Sequence, residues 1–298
     1  MRRESQNLSD STQSDLPGGG ALARGIAVLR AFTVERPALS ARELMAITGL
    51  AKPTLFRLTG TLCELGLLRH DDAGGWFTPA PGVACLAAPF LARASVRQLA
   101  FGPMQALAER LRAQVALSLG QGFNLVFIEL AQAKECVTVR PSMGGPLSLS
   151  RTASGRAYLN ALPAEQRRAY LDELRLADST LAARLEERLL EAREDLEKRG
   201  FCVSYGELIE HFHGVAVPLK PADASGEIYV FSCAVPSFEL QPDQLLNDVG
   251  PRLVTLARGV EAALGAPPSF AADSDPQVHG LSPIKAGARR EIASAAAG

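Results

Sequence analysis

The chain has 298 residues, with 31 Lys+Arg against 32 Asp+Glu, a formal net charge of −1, and 47% hydrophobic but only 6% aromatic residues. That composition supports a globular core in two domains; it is too apolar for a wholly disordered chain and too balanced for a polycation that holds nucleic acid by bulk charge. Five cysteines, an odd number scattered over a long chain, exclude a disulfide scaffold.

No uninterrupted apolar run approaches the ~18 residues of a membrane-spanning helix. The start, Met1-Arg-Arg-Glu-Ser-Gln-Asn7, has charge but no apolar stretch behind it, so no secretory signal is expected. The expected location is the cytoplasm, with reduced thiols and no membrane partner. Residues 1–20, which end in Pro17-Gly-Gly-Gly20, and the Ala-, Pro- and Ser-rich residues 266–298 are expected to be disordered tails.

Residues 21–80 read as three short helices and a hairpin. Leu22, Ile26, Leu29 and Phe32 predict a helix over 22–34 that Arg36-Pro37 stops. Ser40-Ala-Arg-Glu43 is a capping box, and the helix it opens buries Leu44 and Ile47 before Thr48-Gly49 ends it. A third helix starts at Lys52-Pro53 and closes at Gly66; Leu55, Leu58, Leu62 and Leu65 form its buried stripe, with Pro53, Phe56, Arg57 and Gly60 opposite. Leu67–His70 and Trp76–Thr78 flank the Gly-rich turn 71–75 and predict a β-hairpin.

This order is that of a winged helix-turn-helix. On that reading the third helix enters the major groove. Arg57 contacts a guanine or a phosphate, Lys52 and Thr54 contact phosphate oxygens or base edges, and Phe56 packs on a thymine methyl. Arg69 and the hairpin tip reach an adjacent groove, and the free N–H groups near Ser40 hold a phosphate. Seven basic and five acidic residues over 21–80 leave +2, a weak electrostatic footprint, and a dimerisation module is the competing reading of the same elements.

After Pro79-Ala-Pro81-Gly82, residues 83–96 and 97–112 read as two helices, and 81–98 as a linker. Strands are predicted at 115–119, 125–130 and 136–140, then helices at 152–161, from Pro163, and at 178–199. Strands at 201–204, 214–220 and 227–235 and a helix at 242–264 complete residues 99–265 as an α+β domain, an antiparallel sheet flanked by helices.

The stretch Leu44-Met-Ala-Ile-Thr-Gly-Leu-Ala-Lys-Pro-Thr-Leu-Phe-Arg-Leu58 resembles the helix-turn-helix of the IclR family of bacterial transcriptional regulators, with Thr54 and Arg57 at the family's usual positions and Phe56 where His is common. Leu62-Cys-Glu-Leu-Gly-Leu67 resembles the family's entry to the wing. Thr152–Leu159, Gly200–Ser204, Glu207, Gly214–Pro218 and Val230–Pro236 resemble motifs of its GAF-like effector-binding domain, so the resemblance extends to about residue 264.

The resemblance implies an effector pocket lined by Leu149, Ala153, Ser154, Ser204, Gly214, Ser232 and Ala234. Arg151 beside them either pairs with an organic anion's carboxylate or is a surface arginine. Ser154 is either a pocket contact or a helix-start residue. Family members often carry Cys at the Gly214 position and Ser at the Ala234 position, which implies a ligand larger or less polar than the family's small keto acids. The expected protein is a ligand-responsive regulator without cofactor, metal or catalytic residues. It would sense a small anionic organic acid and bind a palindromic double-stranded DNA operator as a homodimer or homotetramer.

The alternative is a metal- or thiol-dependent hydrolase built on His211 and His213 with Glu207, Cys202 or Cys233. The Gly120-Gln-Gly122 and Gly144-Gly145 turns are not phosphate loops, since no Lys-Ser/Thr follows them.

Overall fold

The Leu-rich stripes of the first three helices close over one small core. The computed structural model describes residues 20–135, 143–219 and 227–265. In it α1 (Ala21–Arg30), α2 (Ala41–Thr48) and α3 (Lys52–Glu64) surround Val28, Leu44, Leu55, Leu58 and Leu62. The capping box forms as expected: the Ser40 N–H donates to Glu43 Oε2 at 2.8 Å and the Glu43 N–H donates to Ser40 Oγ at 3.3 Å. The hydrogen bonds from Ser40 hold the Glu43 carboxyl below the usual carboxylate range. A depressed carboxyl pKa means that the box is fully formed at neutral pH and is lost as pH falls through the lowered value. Gly49 takes φ +67°, the left-handed conformation that turns the chain sharply from α2 toward α3.

Helix α1 departs from expectation. It stops at Arg30, and its buried face is Gly25 and Val28, while Leu22 and Ile26 point outward. Gly25 has no side chain, so this side of α1 lies against Leu58 of α3 and the rotation carries Leu22 and Ile26 away from the core. Leu65 is also exposed, because the helix ends one residue earlier and Leu65 is its cap. The wing gains a strand that no periodicity signalled: β1 (Leu39–Ser40) pairs with β3 (Trp76–Pro79), which pairs with β2 (Leu68–Asp71). Two residues are too few to show a period. Leu55→Ala, at a fully buried position, should lower this domain's stability by ~2–5 kcal/mol. Urea unfolding followed by fluorescence of Trp76, the one tryptophan of the chain, reads that change.

Helix α4 (Gly82–Arg93) and helix α5 (Ser95–Leu111) meet at Ala94, three residues before the expected junction. Ala94 has ψ 79°, which no helix accommodates, and serves as cap to both.

The remaining strands build a five-stranded antiparallel sheet in the order β5-β4-β8-β7-β6. They are β4 (Gln114–Gln121), β5 (Asn124–Gln132), β6 (Cys202–Tyr205), β7 (Phe212–Leu219) and β8 (Ile228–Pro236). The strand expected at 136–140 lies outside the described residues. α5 and α9 (Gly250–Gly265) cover one face around Val115, Leu117, Val217 and Phe231. α6 (Ala153–Ala161) and α8 (Ser179–Arg199) lie on the other face around Ala157, Cys202, Ala216 and Leu185. α7 (Ala164–Ala177) packs on α8. The helix expected over 242–264 is interrupted: a π-helical turn at Leu245–Val249 precedes α9. Pro251 has no N–H for the carbonyl four residues back, and the preceding turn widens around that missing bond. The charges of α8 form exposed ion pairs such as Arg193–Glu197, a solvated face worth little stability.

Candidate DNA face and effector site

The stripe of α3 that buries Leu55, Leu58 and Leu62 leaves Lys52, Pro53, Phe56, Arg57 and Gly60 exposed on the other side. Thr54 is half-buried at the first turn. The Lys52 ammonium lies 5.8 Å from the centre of the Phe56 ring, so the two make one amphipathic patch beside Arg57. Arg69 is exposed on β2, paired with Thr78 across the hairpin. Ser40 is half-buried, and its hydroxyl donates to Glu43 Oε2 at 2.7 Å, so it acts first as a helix cap. The fold therefore presents Lys52, Phe56, Arg57 and Arg69 to solvent and ties Ser40 down locally.

In the second domain, strand register gathers the sequence-predicted pocket residues. Ser204, Gly214, Ala234 and Gln114 stand in one row across β6, β7, β8 and β4. Cys202, Ala216, Ser232 and Ala116 form the next row. Paired residues and residues two apart share a face. Ser204, Gly214, Ser232 and Ala234 therefore all lie on the side covered by α6. The Cys202 thiol donates to the Ala153 carbonyl at 3.2 Å, which places the first turn of α6 over the second row. Tyr158, farther along α6, lies against Gly120 at the far end of β4. The first row therefore lies off the N-terminal end of α6.

That end is rich in donors. Thr152 caps α6, accepting from the Gly155 N–H at 2.9 Å and donating to the Ser148 carbonyl at 2.7 Å. The other first-turn N–H groups have no partner within the helix and carry the positive end of its dipole. Ser154 is 5% exposed, and its hydroxyl makes no hydrogen bond among the described residues. Leu149 and Ala153 are buried beside it and supply apolar wall. The Arg151 Nη2 donates to the Glu207 carbonyl at a long 3.4 Å, and no carboxylate pairs with Arg151 among the described residues. Gly155 allows close approach: a Cβ there would stand 2.3 Å from the Leu149 carbonyl oxygen, so the loop before α6 rests directly on the helix.

Two residues escaped the sequence reading as site residues. Gln114 is 7% exposed in the first row, on the same face as Ser204. Its signal was one amide directly before the expected strand at 115–119. Arg156 is 1% exposed and grips Glu207 with two nitrogens, Nη1 to Oε2 and Nη2 to Oε1, both at 2.8 Å, while Nη2 also donates to the Val203 carbonyl at 2.7 Å. Its signal was a charge inside a helix of small and apolar residues, where a buried guanidinium requires a partner.

The same geometry gives the hydrolase alternative no support. Glu207 is engaged by Arg156. Cys202 is fully buried, and burial pushes its thiol up to about 12, so no thiolate is available at neutral pH. Cys233 belongs to the core under the opposite sheet face, away from Cys202. His211 lies in a turn and His213 in β7, where it packs edge-on to Tyr205 rather than beside a second ligand. Among the described residues no three His, Cys, Asp or Glu side chains come together as a metal site.

Residues 21–72 match the family model for the IclR helix-turn-helix domain, and residues 81–261 match that for the bacterial transcriptional regulator IclR C-terminal domain. The HTH-type transcriptional regulator TsaQ1/TsaQ2 of Comamonas testosteroni is 30% identical over 250 residues, 83% of this chain and 88% of that protein. An IclR family transcriptional regulator from Brucella abortus superposes with a TM-score of 0.70 at 34% identity, covering 84% of this chain and 94% of the other. An IclR homologue of Microbacterium hydrocarbonoxydans, solved as a complex with 4-hydroxybenzoate, shares the fold with a TM-score of 0.65 at 22% identity, over 82% of this chain and 97% of its own.

Proposed function

The chain belongs to the IclR family of bacterial transcriptional regulators, and on that premise we propose that it is a ligand-responsive regulator and not an enzyme. It binds a palindromic double-stranded operator as a homodimer or homotetramer and senses a small anionic organic acid at the α6 N-terminus. The proposed boundaries are 21–80 for the DNA reader, 81–98 for the linker and 99–265 for the sensor, with tails at 1–20 and 266–298. No helix among the described residues is long and apolar enough to cross a membrane. We place its action in the cytoplasm, where the operator is.

The observation that carries the sensor reading is the convergence on one spot of donors that no carboxylate engages among the described residues. Arg151, Ser154 and the first-turn N–H groups of α6 meet the row Ser204–Gly214–Ala234–Gln114, whose small residues leave room for a ligand body. The oligomer reading is supported by α4. Its sequence, Gly82-Val-Ala-Cys-Leu-Ala-Ala-Pro-Phe-Leu-Ala-Arg93, carries one charge, yet no residue of it is buried. Val83, Leu86 and Phe90 form a stripe at helical spacing that a single chain leaves in water. An isologous contact brings like residues together, so an uncharged stripe suits a second copy of itself.

Selection on random duplexes followed by gel shift tests the DNA reading; no saturable, sequence-specific binding at moderate salt would overturn it. For the recognition helix, Arg57→Ala should weaken operator binding by ~1–3 kcal/mol and relax preference at one base pair per half-site. Unchanged affinity and specificity would remove Arg57 from the interface. The sensor is probed by a thermal-shift screen of organic acids, starting from 4-hydroxybenzoate, the ligand of the Microbacterium homologue. A ligand of the native state raises the melting temperature and, if it also alters operator affinity, must bind the free and DNA-bound arrangements differently.

A further inference from the structure

Arg151, Arg156 and Glu207 meet at the effector site, with Arg188 within electrostatic reach, and among the described residues Arg151 is the cation of this group without a carboxylate partner. Arg156 gives both terminal nitrogens to the Glu207 carboxylate at 2.8 Å and Nη2 also to the Val203 carbonyl at 2.7 Å. The Ser204 hydroxyl donates to Glu207 Oε1 at 3.3 Å, so this carboxylate reaches the row that faces the α6 N-terminus. Arg188 of α8 feels the charge of Glu207 but is paired with Glu191 at 2.6 Å. Arg151 has the backbone carbonyl of Glu207 at 3.4 Å and no carboxylate among the described residues.

We propose that Glu207 is a specificity-determining residue: by neutralising Arg156 it leaves Arg151 as the one guanidinium among the described residues that is open to the ligand, so the site takes a monocarboxylate and rejects a dicarboxylate. The proposal rests on the effector site described above and deepens it. An incoming carboxylate replaces the long Arg151–carbonyl contact with a short, charge-assisted bond. The buried Ser154 hydroxyl and the first-turn N–H groups complete the acceptor sites of that one carboxylate. A second carboxylate in the same enclosure finds Arg156 already neutralised by Glu207, and no further unpaired cation among the described residues takes it up. Burial makes that uncompensated charge and its lost hydration more costly than in water.

Thermal shift of the full chain at neutral pH tests this with benzoate, 4-hydroxybenzoate and pyruvate against phthalate, succinate and malonate. Monocarboxylates are expected to raise the melting temperature, and dicarboxylates to act ~tenfold more weakly or worse. Glu207→Gln leaves the Arg156 charge unpaired and should invert the order, with dicarboxylates stabilising more than monocarboxylates. The double variant Arg156→Gln/Glu207→Gln keeps the charge of the site and should keep the wild-type order, a result that a merely structural role for the pair does not produce. Wild-type protein stabilised equally by both classes, or by none of these acids, overturns the proposal, as does a folded Glu207→Gln variant with the wild-type order. If Glu207→Gln fails to fold, the wild-type ranking decides. Arg151→Gln should lose the response to every acid. A response that survives in both Arg151→Gln and Ser154→Ala puts the acid elsewhere, which defeats the effector site itself rather than the role of Glu207 alone.

Discussion

Leu86→Glu combined with Phe90→Glu is expected to leave the chain monomeric and to cost operator binding ~10²–10⁴-fold, the advantage that two linked half-site readers have over one. The two residues are 66% and 42% exposed in the single chain, and nothing in α4 is buried. The substitutions therefore remove no contact of the monomer's own core. Four carboxylates brought face to face across a two-fold axis oppose association by repulsion as well as by lost apolar contact. Sedimentation or light scattering reads the mass, and gel shift on the selected operator reads the affinity. Urea unfolding of Trp76 serves as control and should be unchanged, since the core of 21–80 does not include α4. A dimer that survives these charges would move the self-association surface elsewhere.

Arg156→Ala should destabilise the sensor domain by ~3–5 kcal/mol, the cost of leaving one member of a buried ion pair alone. For a domain of this size that is a fall in melting temperature of about 10 °C. The guanidinium is 1% exposed and satisfies the Glu207 carboxylate, and its loss also orphans the Val203 carbonyl and opens a cavity at the first turn of α6. The double variant Arg156→Leu/Glu207→Leu should recover much of the loss, because two apolar groups need neither partner nor water. Calorimetry of the two proteins makes the comparison. Equal destabilisation of single and double variants would show that the pair matters through shape rather than charge.

Much of the architecture was legible locally. The capping box at Ser40, the left-handed turn at Gly49, Pro53 at the start of α3 and the Gly-rich wing turn each state a backbone geometry within a few residues. Apart from the last helix, the described helices and strands of the sensor came out within a residue or two. The failures have specific causes. Leu22 and Ile26 looked like core because their spacing is helical, but which face a short helix buries depends on what it meets, and Gly25 against Leu58 decided that. β1 was too short to carry a period, and Pro251 broke the final helix through a bond it cannot make. His211, Glu207 and Cys202 looked like a possible catalytic set because sequence proximity conceals facing. In the fold the thiol is sealed against Ala153 and the carboxylate belongs to Arg156.

Local geometry was written in the chain: where helices start and stop, which strands alternate, the winged order of elements and the family they resemble. Those properties depend on dihedral preferences and short-range periodicity, which neighbouring residues specify. Which charges are available was settled by packing between distant segments. Arg151 and Arg156 are five residues apart and chemically identical, yet one is paired within 2.8 Å of a carboxylate brought from residue 207 and the other is not. An ion's role depends on its counter-ions and its burial, and both come from segments distant in sequence. The opening balance of 31 positive and 32 negative residues carried no information about where one uncompensated charge would stand.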